Sequence, residues 1–222
     1  MKILALSDLH GSRRAAAASL KFVREGRPEL VAIAGDLTNW GPAGYAAELL
    51  EAIPVRVLAV PGNMDTGELR WALNRGMAQN IDLEKEVVDG ITFVGLGGWI
   101  NSPSLGESWG IEPDVAERAL SGLMSEGCVL LTHVPPLGHL DGVPVPEVFA
   151  PGGSEEHIGS AMVLRLVQRF NPRLVISGHV HENRGFENLG GTVFVNPGPA
   201  KHGFAAMIDI SDKVQVIMLE AE

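Results

Sequence analysis

The chain alternates short, almost uninterrupted apolar runs with longer amphipathic ones. Lys2–Leu6 (KILAL), Leu30–Ala34 (LVAIA) and Val55–Val60 are strand-length and apolar at nearly every position. Runs of this kind suit strands covered on both faces, as in a parallel sheet. Between them, residues 12–25 carry four consecutive alanines and then Leu20, Phe22 and Val23, which predicts a helix. Pro42 opens a second, with Tyr45, Leu49, Leu50 and Ile53 at helical spacing. Further on, Glu86–Leu96 holds Asp89-Gly90 between β-prone runs, the turn pair of a tight hairpin. Residues 114–126 and 157–170 predict helices, and Cys128–Thr132 and Arg173–Ser177 predict buried strands. Thr192–Val195, Phe204–Ile210 and Val214–Leu219 read as hairpin-like strands. Residues 134–156, rich in Pro and Gly, follow neither period and predict a long loop. No linker or repeat divides the chain. The expectation is an α/β protein of one domain over residues 1–222, two sheets packed together with helices outside.

Composition narrows the classes. With 17 basic and 27 acidic residues the formal charge is −10, so the chain lacks the broad basic footprint of a duplex nucleic-acid binder. At 45% hydrophobic residues it is not a disordered chain. Its single cysteine, Cys128, excludes an internal disulfide framework and a zinc site built on several thiolates. No apolar run reaches the roughly 18 residues of a membrane span. Met1–Ser7 lacks the three-part layout of a secretory leader. A soluble protein in the cytoplasm is expected, with no membrane partner.

The chemistry gathers where the apolar runs stop. The first run ends at Asp8-Leu9-His10, the second at Asp36, the third at Asn63. The run to Thr132 ends at His133, and the run to Ser177 ends at Gly178-His179-Val180-His181. In α/β sheets ligands bind outside the carboxyl ends of the strands, so these side chains can share one site. Two aspartates, one asparagine and four histidines exceed what one ion needs with room for substrate. They suit two ions that share a bridging carboxylate. Oxygen and nitrogen donors without thiolate suit Mn, Fe, Zn, Ni or Co, with Mn foremost here. A pair of such ions clamps the attacking and leaving oxygens of a phosphoryl transfer.

The order DLH (8–10), GDLTNWG (35–41), GNMD (62–65), TH (132–133) and GHVH (178–181) resembles the calcineurin-like metallophosphoesterase superfamily. The tail VFVNPGPAKHG (193–203) is similar to its compact prokaryotic, phosphodiesterase-type branch. The resemblance implies a four-layer α/β/β/α sandwich, with two mixed sheets flanked by helices. It implies that Asp8, His10, Asp36 and His181 hold one metal. Asp36 then bridges to a second metal completed by Asn63, His133 and His179. It further implies attack on phosphorus by a metal-bridging hydroxide, with Asn63 and the metals stabilising the charge on the equatorial oxygens.

One position departs from the family. The third motif is usually Gly-Asn-His followed by an acidic residue, and here it is Gly-Asn-Met-Asp. The family histidine contacts phosphate and protonates the leaving group, whereas the Met64 thioether has no proton to give. Met64 thus biases the enzyme toward diesters or activated esters, or else packs beneath the site. Asp65 is expected to orient a ligand histidine. His139, in the long loop beside Asp141, is the candidate to contact substrate or supply the missing proton. Lys201 and His202 are candidates for phosphate, Asn39 for assisting the metals, and Arg13 and Arg14 for facing an anionic substrate. His157 is expected at a helix start. Trp99 and Trp109 are candidates for stacking, packing or a dimer contact.

The function that emerges is a binuclear metal-dependent phosphoesterase acting on small phosphate esters, diesters first. Three other readings stay open: a family member serving as a protein-binding scaffold, a nuclease (which the acidic surface disfavours), and a pyrophosphatase. The compact branch also allows a homodimer.

Overall fold

A computed structural model of the chain describes residues 1–98, 111–146, 148 and 153–221. In chain order the strands are β1 (Lys2–Leu6), β2 (Leu30–Ala34), β3 (Arg56–Val60), β4 (Ala78–Asn80), β5 (Lys85–Val88), β6 (Ile91–Leu96), β7 (Val129–Thr132), β8 (Gly142–Val145), β9 (Ser154–His157), β10 (Leu174–Ile176), β11 (Gly185–Leu189), β12 (Thr192–Asn196), β13 (Phe204–Ile210) and β14 (Val214–Glu220). The helices are α1 (Arg13–Gly26), α2 (Ala43–Ala52), α3 (Leu69–Ala72), α4 (Pro113–Ser121) and α5 (Ala161–Phe170). One six-stranded sheet runs β14-β13-β1-β2-β3-β4 and the other β11-β12-β10-β7-β6-β5. In each, a parallel centre is flanked by antiparallel strands: β13 and β14 in the first, β11 and β5 in the second.

Alternation within the apolar strands produces the layers. In β1, Ile3 and Ala5 enter the core between the sheets, while Leu4 and Leu6 pack under α1 and α2. In β7, Val129 and Leu131 face the other sheet, and Leu130 packs under α4 and α5. Both faces are covered, so every second residue has no polar exit and the strands read as continuously apolar. The result is the four-layer α/β/β/α sandwich, two mixed sheets flanked by helices. The helix ends follow local chemistry. Ser12 caps α1 by accepting from the Ala15 N–H, and Ser160 caps α5 by accepting from the Val163 N–H. Asn171 closes α5 in the left-handed conformation. The Asp89-Gly90 turn has φ of +49° and +78°, as a two-residue hairpin requires.

Several expectations need correction. The stretch 134–156 is not wholly loop: β8 pairs antiparallel with β9. That pairing removes His157 from the helix, which starts at Ala161. The carboxylate of Asp141 closes the arm, accepting from His157 Nδ1 at 2.7 Å and from the Gly138 and Gly159 N–H groups. Of the three hairpin-like runs, 204–210 and 214–219 pair with each other, and 192–195 pairs with a strand the sequence does not signal. β12 belongs to one sheet and β13 to the other, and the actual hairpins are β11–β12 and β13–β14. The helix expected over 114–126 stops at Ser121. Trp99 and Trp109 lie outside the described residues.

Phe93 is fully buried between the sheets. Replacing it with alanine removes a large side chain from a site closed by strands on both sides, so we expect a loss of about 3–5 kcal/mol. Urea unfolding of the two proteins measures it, and a loss under about 1 kcal/mol would mean that the layers collapse around the gap.

Candidate metal centre

The turns that end β1, β2 and β3 in one sheet and β7 and β10 in the other meet at one rim of the sandwich. Backbone bonds stitch them together. The Asp8, His10 and Gly11 N–H groups donate to the carbonyls of Gly35, Asp36 and Leu37. Within the second sheet the Gly178 N–H donates to the His133 carbonyl at 3.0 Å, and across the sheets the His179 N–H donates to Asp8 Oδ2 at 3.2 Å. Asp8, His10, Asp36 and His179 all take left-handed backbone, with φ of +55°, +49°, +52° and +69°. Four such non-glycine residues in one rim mark a geometry held against local preference. Two glycines allow the close approach. A Cβ at Gly62 would lie 2.1 Å from Asp36 Oδ1, and one at Gly178 would lie 1.7 Å from Ser7 Oγ.

All seven residues at the strand ends come together. Asp8 Oδ1 lies 3.2 Å from His181 Nε2 and 3.8 Å from His10 Nε2, and His10 Nε2 lies 3.8 Å from Asp36 Oδ2. On the other side, His133 Nε2 lies 3.6 Å from Asp36 Oδ1 and 2.7 Å from Asn63 Oδ1, and His179 Nδ1 lies 2.9 Å from the same oxygen. Asp36 therefore offers one carboxylate oxygen to each group. Ligand atoms of Asp8, His10 and His181 all fall within 4.8 Å of one another, as do those of Asp8, Asp36 and His133.

Three observations test whether cations fit. Asp8 Oδ1 is buried and accepts no hydrogen bond from the described residues, a cost that an ion would relieve. His10 and His181 aim their Nε2 atoms at each other across 3.4 Å. His133 Nδ1 donates to the Ala34 carbonyl at 2.8 Å, which turns Nε2 toward the centre and fixes the ring. The donor set fits divalent ions.

The charges agree with this. Burial drives the His10 imidazole down to about 4, helped by the nearby Lys201 charge, and burial with the facing His133 takes His179 to about 4. Both rings are thus neutral donors at ordinary pH. Burial pushes the Asp36 carboxyl up to about 6, against the pull of His133 and the Met64 N–H. Burial also acts to raise Asp8, but the His181 ring, with Nε2 3.2 Å from Oδ1, and the other neighbours outweigh it and leave about 2. Burial lowers His133, yet the Asp36 and Asp8 carboxylates more than reverse this, so its net shift is upward.

The remaining candidates are placed as follows. An open cleft of about 570 Å³ lies over the centre, with Ser12, Asn39, Met64 and Lys201 in its wall. Ser12 is an addition to the candidates read from sequence, where its only signal is its position before a helix. Asp65 does not orient a histidine. Its carboxylate accepts from the Leu37, Thr38 and Gly62 N–H groups and from the Thr38 hydroxyl, which clasps the second turn to the third. His139 does not line the cleft. Its Nδ1 bonds Glu187 at 2.6 Å and its ring stacks on Phe194 at 4.1 Å. His202 is exposed, as are Arg13 and Arg14, and Arg14 donates to the Ala221 carbonyl.

Comparison with known proteins agrees with this geometry. Residues 1–183 match the sequence model described as calcineurin-like phosphoesterase. The uncharacterized protein MJ1162 of Methanocaldococcus jannaschii is 28% identical over 207 residues, covering 91% of this chain and 90% of that protein. Metallophosphoesterase domain-containing protein 1 of Homo sapiens is 37% identical over 92 residues, 40% of this chain and 26% of its own length. Among solved structures, TT1561 of Thermus thermophilus shares the fold with a TM-score of 0.76 at 21% identity, over 99% of this chain and 98% of that one. A protein described as a novel archaeal phosphodiesterase does so with a TM-score of 0.58 at 18% identity, over 99% and 100%.

The raised Asp36 carboxyl yields a prediction for metal-free protein. A carboxyl that titrates higher folded than unfolded favours the native state while protonated, and its charge costs stability as pH rises through about 6. Asp36→Asn removes that charge and keeps an oxygen for the Met64 N–H. Chelator-treated Asp36→Asn should be more stable than chelator-treated wild type at pH 8, by about 3 kcal/mol. The gap should close near pH 4 and reverse when divalent ions are restored. Denaturation at both pH values with and without ions tests this, and equal stability at pH 8 would contradict it.

Proposed function

This chain belongs to the calcineurin-like phosphoesterase family, and from that premise we propose that it hydrolyses phosphodiesters ahead of phosphomonoesters at the rim centre. The observation that carries the proposal is the Asp36 carboxylate, with one oxygen on each of two donor groups. Asp8, His10, Asp36 and His181 would hold one divalent ion, and Asp36, Asn63, His133 and His179 the other. Bound there, such ions polarise a phosphoryl oxygen and make water nucleophilic near neutral pH. The oxygen and nitrogen donors suit Mn, and they accept Fe, Zn, Ni or Co as well.

The chain's own residues do the rest. Asp65 holds the turns that carry Asp36 and Asn63 at a fixed separation. The Met64 N–H donates to Asp36 Oδ1 at 2.7 Å and keeps that carboxylate turned toward both groups. The Met64 side chain lines the cleft and offers no proton to a departing oxygen. Esters whose leaving group is stable as an anion are then favoured. A small substrate in a cytoplasmic setting completes the proposal.

The first experiment strips the protein of metal and restores Mn²⁺, then compares hydrolysis of bis-p-nitrophenyl phosphate with that of p-nitrophenyl phosphate. The diester should turn over faster. Absence of turnover with Mn, Fe, Zn, Ni and Co would remove the proposal.

Met64→His restores a proton donor, a group typically worth 10²–10⁴-fold. We expect it to raise monoesterase activity relative to diesterase activity by about tenfold or more. An unchanged ratio would mean that Met64 does not select the substrate.

A further inference from the structure

One cation in the cleft wall has no evident task in the chemistry above. Lys201 sits on the short turn Ala200–His202 that follows β12. The turn is fastened to the first ligand loop: the Ala200 N–H donates to the Ser7 carbonyl at 2.8 Å and the Lys201 N–H to the Asp8 carbonyl at 3.2 Å. The Lys201 ammonium lies 3.4 Å from His181 Nδ1 and lines the cleft. No carboxylate pairs with it among the described residues. A fixed positive charge beside a cation site repels the ion it adjoins, so keeping it there is costly unless the substrate brings a compensating negative charge. A simple diester carries only one.

Met64 sets a second, independent condition. With no proton donor in its place, the leaving group must depart as a stable anion. A phosphate leaving group meets both conditions, because it leaves without protonation and brings additional negative charge next to the reacting phosphorus.

We propose that the bond cleaved is a phosphoanhydride, P–O–P, with Lys201 contacting the phosphate that leaves. This rests on the phosphodiesterase reading above and specifies its substrate class, since an esterified pyrophosphate is a diester whose second alcohol is replaced by phosphate. In the step, a water oxygen forms a bond to one phosphorus and the bridging P–O bond breaks. The second phosphate departs with the electron pair beside the Lys201 ammonium, and the proton from water passes to solvent.

The test compares Mn²⁺-loaded wild type, Lys201→Met and Lys201→Arg by titration calorimetry. The probes are methylenediphosphonate, whose P–C–P linkage cannot be cleaved, and methylphosphonate. All are titrated in the same Mn²⁺ buffer, so that chelation by the probe is common to every protein. A charge-assisted contact to the second phosphonate should make the diphosphonate bind wild type about tenfold tighter than the monophosphonate. Lys201→Met should shrink that preference to about twofold, Lys201→Arg should keep most of it, and elemental analysis should find the same metal content in all three. In turnover, Lys201→Met should lose about tenfold more kcat/KM on ADP-glucose, a pyrophosphate diester, than on bis-p-nitrophenyl phosphate. Equal losses on the two substrates, or a diphosphonate preference that survives Lys201→Met, overturn the proposal and leave the phosphodiesterase reading standing. Absence of bound metal and of turnover on both substrates overturns that reading and this proposal with it.

Discussion

A carboxylate almost wholly withdrawn from solvent, placed between two sets of imidazoles, is the constraint on which the rest of this structure turns. Asp36 is almost wholly buried, and burial raises its carboxyl to about 6. Its surroundings are arranged to hold it there nevertheless. Gly62 has no side chain because any Cβ would strike that carboxylate, the Met64 N–H bonds one of its oxygens, and Asp65 ties its turn to the next. The left-handed backbone at Asp8, His10, Asp36 and His179 is the conformational side of the same arrangement. Such strain persists only where surrounding structure over-determines it, and here the sandwich does so, with the parallel strands β1, β2, β3, β7 and β10 delivering their ends to one rim.

Much of this was legible in the sequence because it depends on adjacency along the chain. A strand covered on both faces must be apolar throughout, so the polar residue that ends it stands out. Asp8, Asp36, Asn63, His133 and His179 each announce themselves in that way. The parts that were not legible depend on pairings between distant segments. Ser154–His157 (SEEH) is exposed and polar, and only its partner β8 makes it a strand. Asp65 looks like a companion to a histidine until the amide groups of Leu37 and Thr38, far back in the chain, are seen to converge on it. His139 follows a ligand closely in sequence, yet the path through Pro135-Pro136 carries it to Glu187 and Phe194 instead. Proximity in sequence is a poor guide once a chain leaves a strand.

The cleft wall adds other residues to those of the centre. The residues at the centre are concerned with holding charge, whereas Ser12, Asn39, Met64 and Lys201 meet whatever enters. None of the four ends a buried strand, so the pattern that exposes the ligands is silent about them. Substrate choice can therefore change without disturbing the layers beneath.

The pairing of β1 with β13 carries a consequence for synthesis. β1 holds the first ligand loop at its end, and one of its two neighbours, β13, lies near the opposite end of the sequence, with Ile3 opposite Ile208. As the chain leaves the ribosome, β1 therefore spends most of elongation as an open sheet edge, with its N–H and C=O groups unpaired on one side. The turn that fastens onto Ser7 and Asp8 arrives just before β13. The first ligand loop is thus fastened only after residues up to Lys201 have emerged. A nascent chain that stops short of that turn carries all seven candidate ligands, Asp8 to His181, while their first loop is still unfastened.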